Sequence, residues 1–251
     1  MEAEEQLVVL LDEASAETPA EPDEKAAEPR HSTLREYFVT TVYCTVIALF
    51  VTTYVVHPMT VPTPSMEPTI LVGDRLLIDK FTFRNAFAAG LPLTPASEIQ
   101  RGDIVVFKFP EDPKTLYVKR AIGLPGQTLE IIDRQVHIDG EPIEEPYKAH
   151  KNEGHYLSFR NQFDNVGPLT VPPDSYFMMG DNRDDSQDSR YWGFLHRDYI
   201  IGRPLVVFWS YQDAPNAYLK TSWGEMAGLY LERIVYFFTR TRWRRLGTIV
   251  S

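Results

Sequence analysis

One hydroxyl in this chain sits in a setting suited to chemistry. Ser65 lies in Val61-Pro62-Thr63-Pro64-Ser65-Met66-Glu67-Pro68-Thr69, closely after a long apolar run. Pro58, Pro62, Pro64 and Pro68 each fix φ and push the preceding residue towards extended geometry. The stretch is therefore predicted to be a stiff, extended strand that presents Ser65 at a set height. Such a serine is a nucleophile only if a neighbour takes its proton, and otherwise it is an ordinary loop serine. No G-x-S-x-G elbow is present, which argues against an α/β-hydrolase. His57, His137, His150, His155 and His196 stand in no distinctive context, although spacing alone leaves a histidine-based triad open. The remaining activator is a neutral lysine. Lys119 is the candidate, in Leu116-Tyr117-Val118-Lys119-Arg120-Ala121-Ile122. Alternation puts Tyr117, Lys119 and Ala121 on one strand face and Val118, Arg120 and Ile122 on the other. An ammonium among apolar neighbours loses hydration, and its pKa falls. A fall of ~3 units costs about 4 kcal/mol and yields a usable base near neutral pH. The competing reading is a solvated strand lysine.

A third stretch runs Gly180-Asp181-Asn182-Arg183-Asp184-Asp185-Ser186-Gln187-Asp188-Ser189-Arg190-Tyr191-Trp192-Gly193. It fails as a calcium loop, because Arg183 and Ser186 occupy positions where an EF-hand needs Asp or Asn and Gly. The histidines lack zinc-ligand spacing, so no metal or other cofactor is expected. A solvated loop would not need Tyr191-Trp192-Gly193 directly after it. A close loop held by internal ion pairs fits better.

These residues need a scaffold, and the 251 residues allow one domain of ordinary size or two small ones. The formal charge of −10 is local: ten acids against Lys25 and Arg30 give the first 33 residues −8, leaving about −2 elsewhere. Residues 1–33 read as a disordered acidic tail. No broad basic face suggests nucleic acid. Cys44 is the single cysteine, so the fold must hold without an intrachain disulfide.

From Tyr37 to Val56 no residue is charged, and 20 residues suffice to cross a bilayer as a helix. Residues 34–57 are assigned to that helix; a buried soluble helix is the alternative. A cleaved export signal fits less well, since the run starts deep in the chain and no small-x-small site follows. Lys25, Arg30 and Arg35 precede it, and no Lys or Arg follows until Arg75. Basic residues stay cytoplasmic, which puts the N-terminus inside and the remaining ~195 residues outside.

Residues 58–226 are expected to form a mainly β domain of packed antiparallel sheets. Its strands fall in Gly73–Lys80 after an opening turn, Ile104–Phe109, Thr115–Ile122, Leu129–Ile132, Gln135–Ile138, Ser175–Met179 and Tyr199–Trp209. Asp139-Gly140 is a hairpin signal, and Gly202 and Pro204 bend the last strand or mark an edge. Phe81–Leu93 reads as a loop or hairpin near the membrane surface. Glu141–Pro168 reads as polar and irregular. In the final segment, 227–251, Leu229, Tyr230, Ile234, Phe237 and Phe238 recur at helical spacing before Arg240, Arg242, Arg244 and Arg245. It is either an amphipathic end lying on anionic headgroups or a helix packed on the β-core.

Four ordered blocks resemble one family: P-T-P-S-M-E-P-T, G-D-R-L-L-I-D-K, R-G-D-I-V-V-F with Y-V-K-R-A-I-G-L-P-G, and G-D-N-R-D-D-S-Q-D-S-R-Y-W-G. In these blocks and its apolar anchor the chain is similar to bacterial type I signal peptidase, a Ser/Lys peptidase of the inner membrane. The resemblance implies Ser65 as nucleophile, Lys119 as general base, and Ser186 as the hydroxyl that orients the lysine amine. It implies an oxyanion hole from the Ser65 N–H and the Thr63 hydroxyl, and a bracing ion-pair network of Asp188, Arg190 and Arg120. Asp185 departs from a common Asn, and no role is carried over for it. The implied partners are precursor proteins bearing signal peptides, with small residues before the cut, and the lipid bilayer. Pairing of the extended Pro62–Met66 segment with substrate as an added strand is a further expectation. A membrane-anchored scaffold of the same fold, or a Ser/Lys peptidase with one dedicated substrate, are the other readings.

Overall fold

The computed structural model describes residues 33–83, 97–150, 163–213 and 222–250. The acidic tail and most of Phe81–Leu93 lie outside them. By contact the chain divides into two compact units, Met1–Ile47 and Ala48–Ser251.

Helix α1, Thr33–Phe50, continues into a π-helical turn, Val51–Val55, giving 23 helical residues with none buried. At helical rise this spans about 34 Å, enough for the hydrocarbon core. Its threonines do not spoil it: Thr45 Oγ1 donates to the Thr41 carbonyl and Thr52 Oγ1 to that of Ala48, each at 2.8 Å. Such back-bonding hides a hydroxyl from an apolar medium. The helix ends at Val55, two residues before the expected limit, because His57 and Pro58 pair into a strand. Lys80 Nζ donates to the last-turn carbonyls of Thr52 and Thr53, at 3.3 and 2.8 Å.

Beyond it the chain is the expected antiparallel β structure. The strands are β1 Val56–Thr60, β2 Asp74–Asp79, β3 Ile104–Lys108, β4 Leu116–Gly123, β5 Thr128–Ile132, β6 Gln135–Ile138, β7 Glu141–Pro142, β8 Val166–Thr170, β9 Ser175–Met179, β10 Leu195–His196 and β11 Ile200–Ser210. They form a seven-stranded sheet, β1-β2-β11-β3-β4-β9-β10, and a four-stranded sheet, β7-β6-β5-β8. Helices α2 Ser189–Trp192, α3 Trp223–Val235 and α4 Phe237–Arg240 complete the described elements.

Strands β3, β4 and β9 are buried on both faces. Ile104, Val106 and Val118 join one apolar cluster with Met66, Leu76 and Val207. Val105, Phe107, Ala121 and Met178 join a second, and Ile122, Phe177 and Met179 join a third with Leu129 and Val136. Each such side chain contributes about 1.5–3 kcal/mol by leaving water. A charged residue placed mid-strand on β4 therefore has little access to solvent, and this is where Lys119 stands.

Strand β11 reaches from β3 to β2, with register shifts on both sides. Gly202 allows the crossing: a Cβ there would lie 1.8 Å from the Asp79 carbonyl oxygen. Asp139-Gly140 turns β6 into β7, both residues at positive φ. The β5–β6 turn is Asp133-Arg134, also at positive φ but without glycine. It is held from outside, by Asn165 Oδ1 on the Asp133 N–H and the Asp164 carbonyl on that of Arg134.

Candidate active site

Ser65 lies in the loop between β1 and β2. The loop is closed at its base by the Val61 N–H on the Asp74 carbonyl and the Gly73 N–H on the Val61 carbonyl, both 2.9 Å. The expected extended strand stops short of the serine: Pro64–Met66 is one 3₁₀ turn, while Thr63 is extended at φ −121°, ψ 152°. Proline fits the first position of a helical turn, where its missing N–H costs nothing. Met66 is fully buried and pulls the turn onto the core. A tight turn offers no strand edge, so the expected pairing of Pro62–Met66 with substrate does not suit this geometry.

Lys119 Nζ is 2.6 Å from Ser65 Oγ, and the two residues are 4% and 5% exposed. The lysine comes from the middle of β4, opposite Val105 on β3, with its amine 5.5 Å from the centre of the Tyr117 ring. Burial pushes its pKa down to about 8; Asp188 opposes the shift and Arg190 adds to it. Desolvation wins because the nearby ions largely answer one another.

The loop after β9 supplies the surroundings. Asp188 is fully buried and takes Arg190 Nε and Nη2, both at 2.9 Å, with the Gly180 N–H at 3.1 Å. Burial alone would raise its pKa, but the Arg190 guanidinium holds it below the usual carboxylate range. Arg120 does not join that pair. It binds Asp181 bidentately, 2.8 Å at each contact, and donates to the Gly102 carbonyl at 2.6 Å. Thr69 Oγ1 donates to Asp181 Oδ2 at 2.6 Å, which ties the serine loop to this ion pair. Arg183 pairs with Glu145 and donates to the Gly180 carbonyl at 3.1 Å.

Asn182 is the most direct link between the two stretches. Its N–H donates to the Ser65 carbonyl at 3.1 Å, and its Nδ2 to that of Pro64 at 3.2 Å. Gly180 leaves room for this contact, since an added Cβ would lie 2.3 Å from Ser186 Oγ and 2.5 Å from the Ser65 carbonyl. Ser186 is buried; it favours the Asp188 anion without meeting hydrogen-bond geometry to any described group. Thr63 is exposed beside the turn, with no capping bond from its side chain. The structure thus brings Ser65 and Lys119 into contact and sets Asp188–Arg190 and Arg120–Asp181 around them as separate pairs. Glu145, Asp181, Asn182 and Arg183 carry contacts that single-residue reasoning missed. Three of them stand in the Gly180–Gly193 block, whose charge density was the available signal; Glu145 gave none.

Chemically this is an alcohol in contact with a desolvated amine, inside a cage of satisfied ion pairs. A family model described as signal peptidase, peptidase S26, matches residues 34–209. The chain belongs to this family. A probable signal peptidase I-2 of Synechocystis sp. is 34% identical over 75% of this chain and 79% of its own length. A signal peptidase I of Leptolyngbya laminosa is 35% identical over 80% of this chain and 93% of its own. A crystal structure of a signal peptidase I from Enterococcus faecalis V583 is 34% identical and covers 43% of this chain and 97% of that one, with a TM-score of 0.35. At that score the fold stands on the strands described above. The signal peptidase match ends at Trp209, so α3 and α4 lie beyond it.

Proposed function

We propose that this chain is a membrane-anchored serine endopeptidase that removes signal peptides from exported proteins, with Ser65 as nucleophile and Lys119 as general base. One observation carries the assignment: the 2.6 Å contact between Ser65 Oγ and a buried Lys119 Nζ whose pKa is lowered to about 8. Family membership supports the reaction class.

Neutral Lys119 takes the Ser65 proton as Oγ attacks the scissile carbonyl carbon. The Ser65 N–H sits in the first turn of a 3₁₀ segment, where it has no acceptor within the turn. In this reading that N–H and the Thr63 hydroxyl form the oxyanion hole, each worth ~3 kcal/mol in such a role. Lys119 then gives its proton to the leaving amine as the C–N bond breaks. It next deprotonates a water that attacks the acyl-enzyme, and returns that proton to Oγ as the ester opens. Ser186 steers the amine; its hydroxyl is buried in the same loop that supplies Asp188, which supports this. Asp188–Arg190 and Arg120–Asp181 brace the loop that Asn182 ties to Ser65. The anchor contributes proximity by holding enzyme and precursor in one membrane plane. The excess of Lys and Arg before α1 supports an inner-membrane enzyme with the acidic tail cytoplasmic and the β domain outside.

Ser65→Ala and Lys119→Ala, in the full chain in detergent, are each expected to abolish cleavage of a precursor while circular dichroism stays unchanged. Wild-type turnover by either variant would defeat the assignment.

A further inference from the structure

Helix α3 is built inside out. Two of its three charged residues are engaged in ion pairs: Arg233 binds both oxygens of Asp213 at 3.0 Å, and Glu232 pairs with Arg240. Leu229, between them in angle, is its buried residue. The opposite side is apolar and bare, with Trp223 91%, Tyr230 57%, Leu231 67%, Ile234 74% and Val235 67% exposed, and Phe238 of α4 at 77%. At 3.6 residues per turn the α3 members of this set share one half of the helix. A helix on a water-soluble surface shows the reverse pattern. A contiguous apolar face of this kind marks a contact surface.

The face is also rigidly presented. The chain after α4 runs beside β11, with the Arg242 N–H on the Ser210 carbonyl at 2.9 Å and the Val250 N–H on that of Leu205 at 3.0 Å. Arg245 clasps the buried Asp74 carboxylate at 2.5–3.1 Å.

We propose that the α3–α4 face contacts the bilayer, riding in the interfacial layer of the membrane that holds α1. Three observations favour lipid as the occupant. The chain carries a 23-residue apolar helix, whose last turns from Ala48 onwards belong to the same compact unit as α3. The face mixes Trp and Tyr with branched aliphatics, the composition of segments that lie at the lipid–water boundary. Three of the four arginines that close the segment are engaged from within: Arg240 pairs with Glu232, Arg245 pairs with Asp74, and Arg242 donates to the Val72 carbonyl at 2.8 Å, while Arg244 is exposed. Apolar insertion therefore replaces the expected attraction of a basic tail to anionic headgroups. The surface lies outside the residues matched by the family.

This inference rests on the membrane-anchored reading, and the test separates the two. The full chain is placed in phosphatidylcholine vesicles with a spin label at native Cys44. In a Cys44→Ser background the label is moved to Ile234→Cys, or to Glu141→Cys as an exposed reference. Accessibility to oxygen and to a water-soluble nickel chelate is then compared. Labels at 44 and 234 are expected to be oxygen-accessible and nickel-protected, and the label at 141 the reverse. A label at 234 as wet as that at 141, with 44 in lipid, overturns the inference and leaves the anchor standing. A wet label at 44 overturns the anchor and the inference together. Spin–spin broadening at 234 identifies a second copy as the occupant and overturns it as well. In addition, Leu231→Asp with Ile234→Asp is expected to slow cleavage of a vesicle-embedded precursor but not of a short peptide in detergent. Unchanged rates on both substrates count against the proposal.

Discussion

Lys119 combines a functional demand with a cost to stability. Its amine is buried and its pKa is lowered from 10.5 to about 8, so folding disfavours its cation. Between those values the unfolded chain keeps a proton that the folded chain has lost, and stability rises with pH across that window. Below about 8 both states are protonated and the penalty is complete, about 3 kcal/mol at most. Lys119→Met should therefore raise the unfolding free energy at pH 7 by up to about 3 kcal/mol while abolishing cleavage. The gain should shrink as the pH approaches 10, and denaturant titrations at the two pH values check both statements. A less stable variant with the wild-type pH slope would contradict the argument. The dyad candidates could be read from the sequence because each stands in a distinctive local context, one among prolines and one on an apolar strand. The Arg120–Asp181 pair could not, since its members are 61 residues apart and no local pattern joins them.

At the scale of elements, the serine turn and the loop after β9 form one unit, joined by Asn182 and by the missing side chain of Gly180. Gly180→Ala drives a methyl group against Ser186 Oγ and the Ser65 carbonyl. A displacement of about 1 Å at a reacting group can lower turnover about 100-fold. We expect kcat to fall by that order while the unfolding midpoint moves far less, as measured by precursor cleavage beside thermal denaturation. Near-normal kcat would mean that the turn is held from elsewhere. Most strands were legible because their apolar alternation or β-rich runs are local properties. The β5–β6 turn was not, because Arg134 at positive φ is imposed by Asp164 and Asn165 on the neighbouring segment. The 3₁₀ turn at Ser65 was hidden for another reason: proline suits both an extended chain and the first residue of a helical turn.

Across the whole molecule, the final segment acts as a clasp. Asp74 is fully buried, and beyond Ser210 Oγ and the Leu71 N–H its carboxylate relies on Arg245 and, at 4.0 Å, on Arg242. Arg245→Ala should cost about 3–5 kcal/mol, the range for breaking a buried pair on one side. Arg244→Ala, at an exposed position, should stay within about 0.5 kcal/mol of wild type. Denaturant midpoints distinguish the two, and equal midpoints would remove the clasp. The sequence displayed Arg245 within a basic run and gave no hint that it serves the interior, because its partner sits near the other end of the β domain. Arg245 follows Asp74 by 171 residues. Translation delivers the carboxylate long before its guanidinium, so a nascent chain halted ahead of residue 245 carries both serine and lysine yet lacks the counter-ion that closes the domain. Closure around Asp74 is thereby a late event in synthesis, set by the 171 residues that separate the pair.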